Sequence, residues 1–154
     1  MIVRDFTPPD AAAFRDLNLA WVEAFFTVEE EDRAQLDDPQ SQIIDKGGAI
    51  LIAELKGEAV GTVGLVPGHG EGVLELVKMS ARDDLKGRGI GRALMSAAIT
   101  KARTMGAHKI WLETNTKLSA ALALYRKSGF RELTGDELTP TPYARCNCQM
   151  VLDL

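Results

Sequence analysis

The sequence predicts an α/β fold in which a mixed β-sheet is covered by helices on both faces. Apolar residues recur with the 3.6-residue period of amphipathic helices in some segments and with the two-residue period of strands in others. The resulting order of elements, β-α-α-β-β-β-α-β-α-β-β, is typical of such a sheet. The chain has 154 residues, of which 45% are hydrophobic, so we expect one domain over residues 1–154 with a single substantial core.

The first third of the chain predicts one strand and two helices. Ile2 to Asp5 has the pattern of a short strand, and Thr7-Pro8-Pro9-Asp10 supplies a helix cap, a first-turn proline and an acid at the third position. A second short helix is expected from about Val28 to just before Asp37-Asp38-Pro39, and one more turn is expected at residues 43–44. In the first helix, four large apolar residues recur at helical spacing: Phe14, Leu17, Trp21 and Phe25.

The middle of the chain predicts three strands. Residues 49–53 and 60–66 flank a turn at Lys56-Gly57, which indicates a hairpin. After a glycine-rich loop at 67–72, Val73 to Met79 forms the next strand.

The last third alternates helices with strands. A helix whose apolar face includes Leu94 and Ala98 stops at Gly106, and Lys109 to Glu113 is apolar enough to be a central strand. A second helix ends at Gly129. Its apolar face holds Leu118, Ala121, Leu122 and Tyr125, and two strands follow at Phe130 to Leu133 and at Cys146 to Leu152.

The segment Lys86-Gly87-Arg88-Gly89-Ile90-Gly91-Arg92 opens a helix and is the most informative part of the sequence. Unpaired N–H groups at a helix start bind anions, and glycines let a ligand approach the backbone closely. A dinucleotide fingerprint would need a glycine where Arg92 stands, and a P-loop would need Lys-Ser/Thr where Arg92-Ala93 stands. We therefore expect another phosphate ligand, the alternative being a turn that only caps the helix.

Composition and charge argue against several classes of protein. The net charge is −4 with basic and acidic residues intermixed, which does not suit nucleic-acid binding. No apolar stretch approaches the ~18 residues of a membrane-spanning helix, so no membrane partner is expected. The start of the sequence does not resemble a signal peptide, and we expect a cytoplasmic protein.

Two smaller clusters have a structural and a functional interpretation. The acidic run Glu29 to Asp32 is either a solvated helix start or a rim that attracts cations beside an amine site.

Cys146 and Cys148, two apart in a predicted strand, lack favourable disulfide geometry and are expected to be structural thiols. His69 and His108 have no zinc-like spacing to them, so no metal is expected.

The glycine turn, the strand end Glu113-Thr114-Asn115 and the helix segment Leu124-Tyr125-Arg126-Lys127-Ser128-Gly129-Phe130 resemble the GNAT superfamily of N-acetyltransferases. The family pattern Arg/Gln-x-x-Gly-x-Gly/Ala is matched at 86–91 except that Lys86 replaces Arg or Gln. The resemblance implies a mostly antiparallel sheet of about six to seven strands and acetyl-CoA as cosubstrate, without a metal. The implied cofactor-binding residues are Met79, Ala81, Lys86, Gly87, Arg88, Gly89, Ile90, Gly91, Arg92 and Asn115, with the turn at the pyrophosphate and Met79 and Ala81 at the pantetheine arm.

The resemblance also implies a reaction, the transfer of an acetyl group to a primary amine of a small molecule or peptide by direct attack in a ternary complex. Glu75, 11 residues before Lys86, matches the catalytic glutamate of members with a carboxylate base, and Tyr125 matches the tyrosine beside the departing sulfur. Glu71, Glu113, Glu23 or ordered water remain alternative bases.

The acceptor side is less defined by the sequence. Glu23 and Phe26 are expected to contact the acceptor, whereas Trp21 and Phe25 share the helix stripe expected to be buried. A non-catalytic acyl-CoA-binding module and an interaction domain with a degenerate glycine loop are the rival interpretations, and the family is compatible with a monomer or a homodimer.

Overall fold

The computed structural model describes residues 1–154, and seven of its segments form one sheet. The strands are β1 (Ile2–Asp5), β2 (Ala49–Leu55), β3 (Glu58–Pro67), β4 (Val73–Ala81), β5 (Lys109–Thr114), β6 (Arg131–Glu132) and β7 (Cys148–Asp153). Their spatial order is β1-β2-β3-β4-β5-β7-β6. Every neighbouring pair is antiparallel except β4 and β5, which are parallel. The predicted mixed, mostly antiparallel sheet of six to seven strands is confirmed.

Four α-helices accompany the sheet: α1 (Ala11–Phe25), α2 (Glu30–Asp37), α3 (Ile90–Thr104) and α4 (Ser119–Lys127). A short 3-10 helix at Pro8–Asp10 precedes α1, and a π-helical turn occupies Gln40–Ile44. One predicted boundary is wrong, because Cys146 lies in the loop before β7 while Cys148 begins that strand. Both thiols are free, and Cys148 is buried. No helix has the length and apolar character needed to cross a membrane.

Alternate residues of β2 show that the helices cover opposite faces of the sheet. Ile50 and Ile52 pack with Phe14 of α1 and Leu36 of α2. Leu51 and Ala53, which point the other way, belong to the larger core. That larger core also contains residues from α3 and α4, namely Ile90, Leu94, Met95, Ala98, Ala102, Leu122 and Tyr125. Helices α1 and α2 therefore lie on one face, and α3 and α4 on the other.

The sheet splits between β4 and β5. These strands pair at only three positions, Val73 with Lys109, Leu74 with Ile110 and Glu75 with Trp111. Beyond Glu75, β4 continues to Ala81 and β5 to Thr114 without pairing to each other. The divergence opens a gap in the middle of the sheet and leaves the edge of β4 free on that side.

A β-bulge lies in β4 at the same level as the split. Thr62 of β3 pairs with Ser80 and Gly64 pairs with Val77, so two residues, Lys78 and Met79, oppose a single residue of β3. Lys78 has a φ of +50°, in the left-handed region that costs a non-glycine residue about 1–2 kcal/mol. Because the extra residue breaks the alternation, Lys78 points toward α2 on the same face as Val77, instead of into the core under α3.

Candidate active site

The gap between β4 and β5 is a cleft of about 380 Å³. It is lined by the end of α1, the second half of β4, the end of β5, the start of α4 and the loop that precedes β7. The structure brings together seven residues singled out from the sequence: Phe26, Glu75, Met79, Ala81, Lys86, Asn115 and Tyr125. Glu23, in contrast, is exposed on α1 and does not line the cleft.

The glycine turn adjoins the cleft through Lys86, which lines it, whereas residues 87–92 do not line it. The turn presents free backbone donors. Gly87 and Gly89 have φ values of +83° and +78°, which explains the need for glycine at both positions. The N–H of Arg88 donates to the carbonyl oxygen of Leu85 at 3.3 Å. No hydrogen bond within the chain is made by five other N–H groups, those of Gly87, Gly89, Ile90, Gly91 and Arg92. Such a set at the start of α3 fits a phosphate group.

Lys86 and Ile90 complete the turn in different ways. The Lys86 side chain is exposed, lines the cleft and lies 3.5 Å from a carboxylate oxygen of Asp83. Ile90 is buried in the larger core and anchors the first turn of α3. Its contribution toward a ligand is therefore its backbone N–H alone.

Two carboxylates, Glu75 and Glu113, face the cleft from neighbouring strands. Burial raises the pKa of Glu75 to about 7, together with the nearby Glu113 and Glu31, and Lys78 opposes them only in part. Burial also raises the pKa of Glu113, although Thr141 donates a 2.8 Å hydrogen bond to it. Glu75 makes no hydrogen bond within the chain, so its carboxylate is available to a ligand. The raised pKa of Glu75 suits proton transfer at neutral pH.

Tyr125 of α4 lines the cleft from the opposite side of the sheet. It is a buried member of the larger core and packs against Phe130 at a ring-centroid distance of 5.8 Å. Its hydroxyl makes no hydrogen bond within the chain, and burial raises its pKa to about 12. The hydroxyl therefore keeps its proton throughout the neutral range and is available as a donor.

Asn115 uses its side chain inside the protein. Its Nδ2 donates to the carbonyl oxygen of Arg145 at 2.7 Å, and its Oδ1 accepts from the N–H of Lys117 at 2.8 Å. The first bond ties the end of β5 to the loop before β7, and the second caps the turn that leads to α4. Asn115 thus shapes the cleft wall by joining two of its segments.

A buried ion cluster beside the cleft had no recognised signal in the sequence. Asp32 of α2 is fully buried, and its carboxylate accepts from Lys78 Nζ at 2.6 Å and from both terminal nitrogens of Arg145 at 2.6 Å. Burial raises the pKa of Asp32, but the hydrogen bonds and charges of Arg145 and Lys78 outweigh it and lower that pKa to about 2. The Arg145 guanidinium stacks 4.4 Å from the ring centre of Tyr143. Expecting the whole acidic run to be solvated is therefore wrong for Asp32, whereas Glu30 and Glu31 are exposed.

One chain of buried hydrogen bonds supports the bulge. Thr62 Oγ1 donates to the carbonyl oxygen of Lys78 at 2.9 Å, and Asn18 Nδ2 donates to Thr62 Oγ1 at 3.0 Å. Trp21 Nε1 in turn donates to Asn18 Oδ1 at 3.0 Å. Asn18 and Thr62 have no exposed surface, so these bonds fix α1 against the irregular part of β4.

The aromatic residues at the end of α1 differ from the expectation. The buried residues of α1 are Phe14, Asn18 and Val22. Phe25 lies at a similar angle around the helix, but it is the last residue of α1 and lines the cleft instead of the core. Phe25 is 52% exposed, and its predicted burial is wrong. Trp21 is half-buried and lines the cleft with Phe25 and Phe26. All three end-of-helix aromatics therefore belong to the cleft wall.

The split sheet holds a cleft that is lined by two carboxylates and by Lys86, which is followed by a run of unpaired backbone N–H groups, an arrangement suited to an acyl-group transferase. The chain matches the model of the acetyltransferase (GNAT) family over residues 12–130 and belongs to that family. It is therefore an acetyltransferase, and acetyl-CoA, the acyl donor of this family, is confirmed as its cosubstrate. No group of three or more His, Cys, Asp or Glu side chains is arranged to hold a metal ion.

Individual relatives agree with this assignment. The chain is 32% identical over 121 residues to an uncharacterized N-acetyltransferase, YjgM, of Escherichia coli, covering 77% of this chain and 72% of that protein. It is 33% identical over 104 residues to rat N-acetyltransferase 8, covering 65% of this chain but only 46% of the relative.

Solved structures share the fold over nearly the whole chain. A GNAT-family acetyltransferase of Staphylococcus aureus superposes with a TM-score of 0.88 at 20% identity, covering 99% of this chain and 98% of the other. The acetyltransferase yncA of Salmonella typhimurium, solved with acetyl-CoA, superposes with a TM-score of 0.71 at 21% identity, covering 99% and 93% of the two chains.

Proposed function

We propose that this protein transfers the acetyl group of acetyl-CoA to a primary amine by direct attack within a ternary complex. The observation that carries the proposal is the placement of Glu75, Tyr125 and Lys86 around one cleft, with the unpaired N–H groups of the glycine turn directly following Lys86 in the chain. Holding amine and thioester together in that cleft supplies much of the rate advantage.

The donor end is formed by backbone groups. The five free N–H groups at residues 87 and 89–92 receive the pyrophosphate, and the charge of Lys86 at the mouth adds to the attraction. The free edge of β4 at Met79 and Ala81 receives the amide-bearing arm of the donor by main-chain hydrogen bonds. Side-chain identity matters little for this end, which explains why Lys can stand where the family has Arg or Gln.

Glu75 acts as the general base. An alkylammonium group of pKa ~10.4 is about 99.9% protonated at pH 7, so the acceptor must lose a proton before its nitrogen can attack. A carboxylate with a pKa of about 7 accepts that proton directly or through one water. The nitrogen then bonds to the carbonyl carbon while the carbonyl electrons move to oxygen, where the N–H of Met79 stabilises the developing charge.

Tyr125 stabilises the leaving sulfur. Breaking the C–S bond leaves a thiolate whose ordinary pKa is ~8.5, well below the value of about 12 for Tyr125. The proton therefore stays mainly on the tyrosine, which donates a hydrogen bond to the sulfur instead of transferring the proton completely. Glu75 passes the first proton to solvent. The attacking nitrogen loses a second proton as the amide forms, and this proton reaches the thiolate through water. Each turnover of an ammonium group therefore yields the amide, free coenzyme A and one released proton.

The test is acetyl-CoA-dependent thiol release over a panel of primary amines, measured for the wild type, Glu75→Gln and Tyr125→Phe. We expect Glu75→Gln to reduce kcat/KM by about 100-fold or more and Tyr125→Phe to slow turnover without abolishing it. Glu30→Gln, which removes an exposed carboxylate outside the cleft, is the control. Stabilisation by acetyl-CoA without thiol release from any amine would instead support a non-catalytic acyl-CoA-binding module, and two variants with wild-type rates would refute both roles.

A further inference from the structure

The acceptor side of the cleft is built mainly from aromatic side chains. Trp21, Phe25, Phe26 and Tyr143 all line it, and Phe26 lies 6.4 Å from Trp21 and 6.3 Å from Phe25 between ring centres. Phe25 is 52% exposed and lines the cleft instead of packing in the core. Exposed aromatic surface in a concave site favours a ligand with an apolar body.

The cations that line the cleft are mostly paired already. Lys78 and Arg145 are bound to Asp32 at 2.6 Å, and Arg145 also lies 3.6 Å from Glu29. Lys86 lies 3.5 Å from Asp83 at the donor end. Lys117 alone makes no ion pair, and it is an exposed residue whose Nζ lies 5.8 Å from the ring centre of Phe26.

The two carboxylates of the cleft, unlike most of its cations, form no ion pair. Glu75 and Glu113 make no salt bridge, and Glu75 makes no hydrogen bond within the chain either. An ammonium group approaching the site therefore meets two acids that form no ion pair. A carboxylate approaching the same place would meet like charges, and the one unpaired cation of the cleft, Lys117, lies against Phe26.

We infer that the acceptor is a primary amine on an apolar, ring-bearing body, with no carboxylate next to the amine; this inference rests on the function proposed above. In an α-amino acid the carboxylate lies within about 3–4 Å of the nitrogen, so placing that nitrogen at Glu75 brings two negative charges within several ångströms of each other. In an aralkylamine the ring takes that space and contacts the aromatic wall.

Four amines separate the contributions of the ring and of the charge. We expect kcat/KM for 2-phenylethylamine to exceed that for ethylamine by about tenfold, because the ring buries apolar surface against the wall. We expect L-phenylalaninamide, which has no charged carboxylate, to exceed L-phenylalanine by about 30-fold or more. Rates are compared per neutral amine at pH 8.5, so that differences in amine pKa do not enter.

Phe25→Ala tests the wall itself, because an exposed side chain can be truncated without emptying the core. We expect this variant to lose about fivefold or more in kcat/KM for 2-phenylethylamine and to lose less for ethylamine, so that the ratio of the two values falls. The matched control is Leu138→Ala, which removes another exposed apolar side chain, 49% exposed, away from the cleft. It should leave both values unchanged.

The outcomes distinguish this inference from the proposed function. A kcat/KM for L-phenylalanine that equals or exceeds that for L-phenylalaninamide overturns the inference. If Lys117→Ala then lowers the value for L-phenylalanine, the exposed lysine binds the carboxylate. Equal use of ethylamine and 2-phenylethylamine also overturns it, as does stabilisation by acetyl-CoA with no turnover of 2-phenylethylamine. Absence of any stabilisation by coenzyme A and of turnover with every amine would refute the proposed function instead.

Discussion

Replacing Glu75 by glutamine should make the protein more stable at alkaline pH while removing most of its activity. The carboxyl of Glu75 has a pKa of about 7 in the folded protein because burial and the neighbouring acids disfavour its charge, against an ordinary value of 4.5. Keeping this group ionised therefore costs folding free energy. Glutamine has nearly the same shape and no charge, so it avoids that cost.

The sign and size follow from the difference in proton binding between the two states. Between pH 4.5 and about pH 7 the folded protein holds the proton and the unfolded chain does not, so the contribution of Glu75 to stability is lost as pH rises through this window. Linkage gives a cost of at most about 1 kcal/mol at pH 5 and about 3 kcal/mol at pH 8.5. The advantage of Glu75→Gln over the wild type should therefore grow by about 2–3 kcal/mol between these two conditions.

Urea unfolding of both proteins at pH 5 and pH 8.5 measures this double difference, which cancels the packing effect of the amide. Glu30→Gln provides the charge-matched control, because its carboxylate is exposed and its substitution should give about the same effect at both pH values. The pH profile of kcat/KM supplies a second readout, since the rise of the wild-type rate through about pH 7 should disappear in Glu75→Gln. A stability difference that does not change with pH would refute the argument, whatever the activity of the variant.

Three further predictions concern the turn, the ion cluster and the tyrosine. Gly89→Ala should weaken coenzyme A binding by tenfold or more in calorimetric titration. The control is Gly57→Ala, because Gly57 has a φ of +80° and Gly89 a φ of +78°, so both substitutions should cost the same ~1 kcal/mol of backbone strain. The control should leave the affinity for coenzyme A unchanged. Asp32→Asn should lower the free energy of unfolding in urea by about 3–5 kcal/mol, because two buried cations lose their common carboxylate, and a loss below ~1 kcal/mol would contradict the buried-pair interpretation. Tyr125→Phe should lower kcat about 5- to 50-fold. The KM for acetyl-CoA and the melting temperature should not change, because the hydroxyl has no hydrogen-bond partner within the chain. An unchanged kcat would show that the Tyr125 hydroxyl takes no part in the mechanism.

The fold could be predicted from the sequence because its signals are local. The strand at Ile2–Asp5, the cap before α1 and the glycine after α3 each depend on residues within one or two turns of chain. The burial of Phe25 was mispredicted for the same reason. Its spacing from Phe14 fits the buried stripe of the helix, but α1 ends at Phe25, so this part of the stripe meets the cleft instead of the core.

The glycine turn has a local signal in the sequence and the ion cluster has none. The unpaired N–H groups at residues 87 and 89–92 are consecutive or nearly so, so the sequence itself predicts them. Asp32 meets Lys78 across 46 positions and Arg145 across 113, and nothing local indicates which acid will meet which cation. One local signal of the bulge itself was present. Regular alternation would place Lys78 on the same face as Leu74 and Leu76, which belong to the core, and a lysine on that face suits a bulge.

The bulge at Lys78 couples the two halves of the cleft. Its left-handed backbone is unfavourable for lysine and persists because Thr62 holds the carbonyl while Asp32 holds the ammonium group. The same extra residue shifts Met79 along the free edge of β4, where we propose that the donor is received. Through Asp32, Lys78 is also joined to Arg145, whose guanidinium stacks on Trp21 and Tyr143 of the proposed acceptor wall. One set of buried polar contacts therefore holds both the strand of the proposed donor site and the wall of the proposed acceptor site.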